Sequence, residues 1–293
     1  MRYTSYKIQA GKLTKRAYLQ DYRISIRDVP EHPDYPEHTH EFTELVAVYE
    51  GSGINCVDGF ETEISAGDVF IIHAGQRHAY KETHHLHLCN VLFDNTLLDT
   101  MSVDMTHLPG FHALFLMEPN LPGEQMVSRM HLQAGELAKA RLLIDELEKE
   151  VDEKTPGFRL ISQSLLLLLI GKLSRWYTPT TSDTSNDFAR TAAAIAHMEA
   201  TFYEPLSVEA LARVAGLSER TFYRIFQKAT GATPNQYLGT LRLSHVADLL
   251  IHSDSPITDI AFECGFQDSS YMAKQFKRQM GLSPRQFRQN HRA

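Results

Sequence analysis

The last hundred residues of the chain contain a repeat. Ser218-x3-Phe222-x3-Phe226-x4-Gly231-x2-Pro234-x2-Tyr237 aligns with Asp268-x3-Met272-x3-Phe276-x4-Gly281-x2-Pro284-x2-Phe287 at a constant offset of 50 residues. Upstream, Leu211-Ala212-x3-Gly216 aligns with Ile260-Ala261-x3-Gly265 at an offset of 49, so the second copy has a turn one residue longer. Each copy of such a repeat must be the same supersecondary unit, which limits the fold more than composition does.

The residue types say which unit. Ser207 and Ser255 are positioned to cap a first helix, with Pro256 suited to its first position. Ala212 and Ala261 are small where two helices cross. Gly216 and Gly265 fall just past that helix, where a left-handed residue ends it cheaply. Ser218 and Asp268 are N-caps of a second helix, and Gly231 and Gly281 end it. Phe222 with Phe226, and Met272 with Phe276, are spaced i, i+4 and share one face. Each copy therefore reads as a helix-turn-helix. Between them, Leu238, Leu241, Leu243, Val246, Leu249 and Leu250 mark one helix of about 17 residues, ~25 Å long. A strut of that length can hold two reading helices about one DNA turn apart, ~34 Å.

Fixing the apolar face of each second helix defines its outer face. The first unit offers Arg220, Thr221, Tyr223 and Arg224; the second offers Asp268, Ser269, Ser270, Ala273 and Lys274. Arginine can pair bidentately with guanine in the major groove, and a lysine on phosphate positions without specifying. These residues are read as DNA contacts, against the alternative of a solvated face. For Asp268, capping competes with base contact.

Charge distribution agrees. The chain has 293 residues and a net charge of −7. Residues 188–293 carry 12 basic and 9 acidic side chains, a balance of +3, and the remainder carries 17 and 27, a balance of −10. An acidic body is joined to a mildly basic module. The apolar run Leu165–Ile170 is far too short to span a bilayer, and the N-terminal residues lack the apolar core of a signal peptide. Three cysteines without close spacing give no disulfide framework or zinc cluster, so a reduced cytoplasm is the expected location.

Residues 20–95 read as strands (ELVAVYE, DVFIIHA, HLCNVLF) punctuated by the turns GSG, DGF, SAGD and HAGQ, the pattern of a small barrel or sandwich. Residues 96–133 give no clear pattern. His38-x-His40-x3-Glu44-x6-Gly51 and Gly67-x5-His73-x-Gly75-x2-His78 resemble the two cupin motifs, with His73 where proline is usual. Even spacing places His38, His40 and Glu44 on one strand face, with His78 joining from a neighbour. Such a set suits a divalent metal (Zn, Fe, Mn or Ni) or a metal-free polar pocket for a hydroxylated ligand. His84, His85 and His87 read as a surface turn and strand start. Residues 136–177 read as two helices broken at Pro156-Gly157. LISQSLLLLLIGKL is apolar nearly all round and must be buried, in a core or against a second subunit.

Residues 188–293, and above all ITDIAFECGFQDSSYMAKQFKRQMGLSPRQFR, resemble the DNA-binding domain of the AraC/XylS transcription regulators. EHTHEFTELVAVYEGSG, DVFIIHAGQRHAY, LPGF and SERTFYR resemble the rhamnose-responsive activators of that family. In that subgroup the residues matching Arg220, Arg224 and Asp268 read bases; Ser270 replaces an asparagine, which leaves the second unit's operator preference open. The resemblance implies an α+β chain: a cupin-like ligand-sensing domain (1–134), a helical dimerisation region (135–177), a linker (178–187) and the DNA-binding domain (188–293). It implies a homodimeric activator that engages double-stranded DNA and RNA polymerase under control of a sugar such as L-rhamnose. Two other readings stand beside it: a metal-dependent cupin enzyme fused to a DNA-binding domain, and a regulator whose barrel only dimerises.

Overall fold

Alternation governs the N-terminal half. In the computed structural model, which describes residues 12–13, 19, 22–100, 103–117, 128–178 and 183–291, eight strands form one sheet. They are β1 (Lys12–Leu13), β2 (Ile24–Val29), β3 (Tyr35–His40), β4 (Thr43–Val57), β5 (Phe60–Ser65), β6 (Asp68–Ile72), β7 (Arg77–Phe93) and β8 (Arg129–His131). The long strands β4 and β7 pair with each other along most of their length, and shorter strands flank both. All pairings are antiparallel except β1 with β3.

Successive residues of β4 and β6 enter different cores. Leu45, Ala47, Val69 and Ile71 join one cluster, while Val46, Val48, Phe70 and Ile72 join a second with Tyr80, Leu86 and Leu88. Burial on both faces explains why DVFII reads as an unbroken apolar run. The first cluster is closed by α1 (Ala134–Glu153), through Ala140, Ile144 and Leu147, and by α2 (Phe158–Trp176), through Leu166, Leu169, Ile170 and Leu173. Gln133 and Glu136 form a capping box at the start of α1.

Three local expectations change. The GSG segment is not a turn: it lies inside β4, where the register with β7 shifts. Gly51 has φ +76°, and a Cβ there would collide with the carbonyl of His85, so the glycine serves a bulge. His84 and His85 lie within β7 rather than before it, with His85 at positive φ. Within the unpatterned stretch 96–133, the described residues form a 3-10 turn (Asn95–Thr100), short helices (Val103–Thr106 and Pro109–Phe111), a π turn (His112–Leu116) and β8. By contrast, the turn expected at DGF is present: Asp58-Gly59 closes a two-residue hairpin between β4 and β5, with both φ values positive.

The chain separates into two compact units, Met1–Ala189 and Arg190–Ala293. The helix α3 (Asp183–Thr201) begins inside the stretch expected as linker. The reason is chemical: Thr, Ser and Asp mark a linker by composition, but they are also the residues of a helix N-terminus.

In the second unit α4 (Val208–Ala215), α5 (Glu219–Thr230), α6 (Pro234–His252), α7 (Ile257–Glu263), α8 (Ser269–Met280) and α9 (Pro284–His291) follow in order. The repeat is visible in atoms. The Phe226 and Tyr237 rings lie 5.5 Å apart at 86°, and 50 residues later Phe276 and Phe287 lie 5.3 Å apart at 85°. Phe222, Phe226, Met272 and Phe276 are fully buried, and Gly231 and Gly281 end α5 and α8 at φ +70° and +76°. Ser207 and Ser218 cap as expected, accepting from the Ala210 and Thr221 amides. Ser255 does not: Pro256 occupies the N-cap of α7, and the Ser255 carbonyl accepts from Arg288.

Candidate nucleic-acid interface and effector pocket

On α5 the buried stripe of Phe222, Ile225, Phe226 and Ala229 leaves Arg220, Tyr223 and Arg224 exposed on the opposite side, with Gln227 beside them and Thr221 half-buried at the flank. At 100° per residue, Arg220, Tyr223, Arg224 and Gln227 share one side. The 50-residue offset carries this face onto α8 as Ser270, Ala273, Lys274 and Lys277. Ser270, Lys274 and Lys277 are exposed, whereas Ser269 and Ala273 are half-buried. Gln227 and Lys277 were missed by the sequence reading, although extending the repeat by one turn finds them. Asp268 is exposed, and its Oδ1 accepts the Ser270 amide at 2.8 Å, so the carboxylate does cap α8. α5 bears three exposed or half-exposed cations (Arg220, Arg224, Lys228) and α8 three (Lys274, Lys277, Arg278).

A buried cluster in the first unit gathers the predicted histidines by a different route. His38 and His40 end β3, and Glu44 lies on β4, beyond the break at Glu41-Phe42. They do not share a strand, so even spacing is not what joins them. Strand pairing joins His38 to His78 across β3–β7, whereas the pairing partners of Glu44 are Ile72 on β6 and Leu92 on β7, so its carboxylate meets the imidazoles by side-chain reach. Glu44 Oε2 lies 3.0 Å from His40 Nε2 and 3.5 Å from His78 Nε2. All four residues are buried.

The proton inventory of this cluster is short. His40 Nδ1 lies 2.7 Å from the Phe42 carbonyl, which makes Nδ1 a donor and turns Nε2 toward the Glu44 carboxylate. His40 Nε2, both ring nitrogens of His78 and the Tyr80 hydroxyl are buried with no aligned hydrogen-bond partner among the described residues. Burial works against ionisation of Glu44, yet the facing imidazoles of His40 and His78 outweigh it and hold the carboxyl well below the usual range. Burial lowers His38 to about 4, with His78 adding to the shift. Burial also raises the Tyr80 hydroxyl well above its ordinary value, helped by the Glu44 charge.

The donor set fits a divalent cation. His40, Glu44 and His78 each bring one ligand atom, all within 4.8 Å of one another. The other His40 nitrogen is held by a backbone carbonyl, the usual outer support of a metal-binding imidazole. His38 stands outside that set; its ring packs on His78 at 4.0 Å, and its Nδ1 faces the Pro36 carbonyl. His73 is buried beside the cluster, at about 4 through burial and the nearby His40, and its Nε2 meets Ser128 at 3.1 Å. Rings of His32, Tyr35 and Tyr80 continue the wall, His32 lying 4.6 Å from Tyr80. None of these three was singled out from sequence, although Tyr80 lies two residues along β7 from His78, on the same face.

Residues 26–170 match the AraC-like ligand binding domain family, and residues 211–290 match a helix-turn-helix domain family. The HTH-type transcriptional activator RhaS of Escherichia fergusonii is 36% identical over 288 residues, covering 96% of this chain and 98% of that protein. The HTH-type transcriptional activator RhaR of Escherichia coli K12 is 31% identical over 287 residues, covering 94% and 96%. Among solved structures, the DNA-binding domain of AdpA in complex with a target DNA is 36% identical and covers 35% of this chain and 93% of its own, with a TM-score of 0.35. A duplicated helix-turn-helix with cationic outer faces, joined in one chain to a ligand-binding sheet domain, defines a DNA-binding transcription regulator rather than an enzyme. The chain belongs to the AraC family of helix-turn-helix transcriptional activators.

Proposed function

We propose that a sugar such as L-rhamnose enters the first unit at His38, His40, Glu44 and His78, and that its binding controls a homodimeric cytoplasmic activator which engages RNA polymerase at its operator. Arg220, Thr221, Tyr223 and Arg224 read one major-groove segment, and Asp268, Ser269, Ser270 and Lys274 the next. The observation that carries the effector assignment is the set of buried polar atoms without aligned partners around Glu44. Each such atom costs about 1–3 kcal/mol until something bonds to it. A polyol offers hydroxyls to both carboxylate and imidazole, and the His32, Tyr35 and Tyr80 rings offer faces to its C–H groups.

A second reading is favoured by the convergence of one ligand atom each from three buried side chains within 4.8 Å: a divalent metal held by His40, Glu44 and His78. Bound there, it would neutralise the carboxylate and offer a Lewis-acidic contact to sugar oxygens.

A thermal-shift titration of the full chain against a sugar panel tests both. A ligand at 100 times its Kd adds about 2.7 kcal/mol to stability, so the effector should raise Tm in a dose-dependent way. Glu44→Gln should abolish that shift while the variant still melts cooperatively. Elemental analysis of the purified protein, before and after chelation, separates the two readings. A panel without any shift would refute the sugar assignment, and absence of stoichiometric metal from protein prepared with added Zn, Fe, Mn and Ni would refute the second.

A further inference from the structure

The repeat loses its symmetry on one side of α8. Tyr271, Gln275 and Arg278 occupy a stripe adjacent to Ser270 and Lys274, turned toward the first half of α6. In α5 the residue matching Gln275 is Ile225, which is buried, and the residue matching Tyr271 is Thr221. The stripe on α8 instead borders an open groove of about 1140 Å³, whose other walls are the 203–207 loop, which leads into α4, and the α6 residues from Asn235 to Leu243.

The groove is built from fixed parts. Arg242 donates from Nε to the Phe202 carbonyl and from Nη2 to that of Glu204, both at 2.8 Å, so the loop is tied to α6. Phe202 stacks on His245 at 3.9 Å. Gly265 lies against the same loop, where a Cβ would come 2.7 Å from the Tyr203 carbonyl. Into this frame project three large side chains, Tyr203, Phe262 and Tyr271, at 51%, 55% and 55% exposure. Of the charged groups on the walls, Arg242 is committed to the loop and Asp268 to its cap. The Arg278 guanidinium is exposed and has no side-chain partner among the described residues.

A duplex that places one major-groove segment on α5 and the next on α8 must carry its backbone past the surface between the two helix-turn-helix repeats. The groove is lined from both repeats, and α8, which bears the reading face of the second, contributes one wall. Its chemistry suits a sugar–phosphate chain. Most protein–DNA hydrogen bonds go to phosphate and sugar, from arginine, tyrosine and amide side chains, and Arg278, Tyr271 and Gln275 are those three types.

We propose that this groove seats the DNA sugar–phosphate backbone between the two major-groove segments, with Arg278 neutralising a phosphate and Tyr271 and Gln275 holding the adjacent sugar and phosphate oxygens. The proposal rests on α5 and α8 being the DNA readers, and on no effector.

The test uses the full chain and a duplex it selects from a random-sequence pool, with a scrambled duplex as reference. Arg278→Ala should weaken binding to both duplexes by the same factor, and should reduce the slope of log affinity against log salt by about one. Arg278→Lys should restore the slope. Hydroxyl-radical footprints of Arg278→Ala and Tyr271→Ala should lose protection at the backbone between the two major-groove segments and keep it elsewhere. Arg224→Ala, as the contrast, should erode the preference for the selected duplex. Unchanged affinity, salt slope and footprint in both Arg278→Ala and Tyr271→Ala, with wild-type selection intact, would overturn the groove assignment and leave the exposed aromatics as a protein-docking surface. Failure of the wild type to select any duplex would instead overturn the reading of α5 and α8.

Discussion

Single residues divide into those that hold the second unit together and those that face outward, and few do both. Arg224 is exposed one turn from Arg220, while Phe222 and Phe226 between and beside them are fully buried. Arg224→Ala should therefore leave Tm of the second unit within about 2–4 °C of wild type, since surface substitutions are usually worth under ±0.5 kcal/mol. It should cost about 1–3 kcal/mol of discrimination at one base pair, measured by competition with single-base operator variants. These outward residues were legible because the repeat fixed the inward ones. The barrel histidines were legible as a set but not as a geometry. Counting by twos fails across the Glu41-Phe42 break, and cross-strand register, which no single strand contains, is what sets His38 opposite His78. Tyr80 was passed over although it shares a β7 face with His78.

Elements were easiest to read where chemistry at both ends was explicit. α5 and α8 begin at side-chain caps and end at left-handed glycines, and both were placed from sequence. The beginning of α3 was not, because a polar Thr/Ser/Asp stretch has the composition of either a linker or a helix start. The Gly51 bulge was read as a turn for a similar reason: glycine signals positive φ without saying whether the strand ends there. Phe276 joins α8 to α6, α7 and α9 through one cluster, lying against Phe287. Phe276→Ala should destabilise the second unit by about 3–5 kcal/mol, seen in urea as loss of its unfolding transition to lower denaturant, with the transition of the first unit in place.

At the scale of the whole chain, α2 explains its own excess of leucine only in part. Leu166, Leu169, Ile170 and Leu173 are buried on the sheet, but Leu160, Ile161 and Leu168 form an exposed stripe, Leu160 at 72%. Leu167 is half-buried between the two faces. If this stripe is the subunit contact, Leu160→Glu with Leu168→Glu should yield a folded monomer by light scattering, whereas a dimer of unchanged mass would place the contact elsewhere. Among the described residues, no helix is long and apolar enough to cross a membrane. The separation of buried from exposed positions on α5 and α8 has a further consequence for descent. Since the aromatic pairs carry the burial and the cationic face carries almost none, a substitution on that face, read as the DNA contact, should alter which operator is preferred without drawing on the narrow margin of folding stability. Related chains can thus exchange target sites in small steps, each step a viable protein.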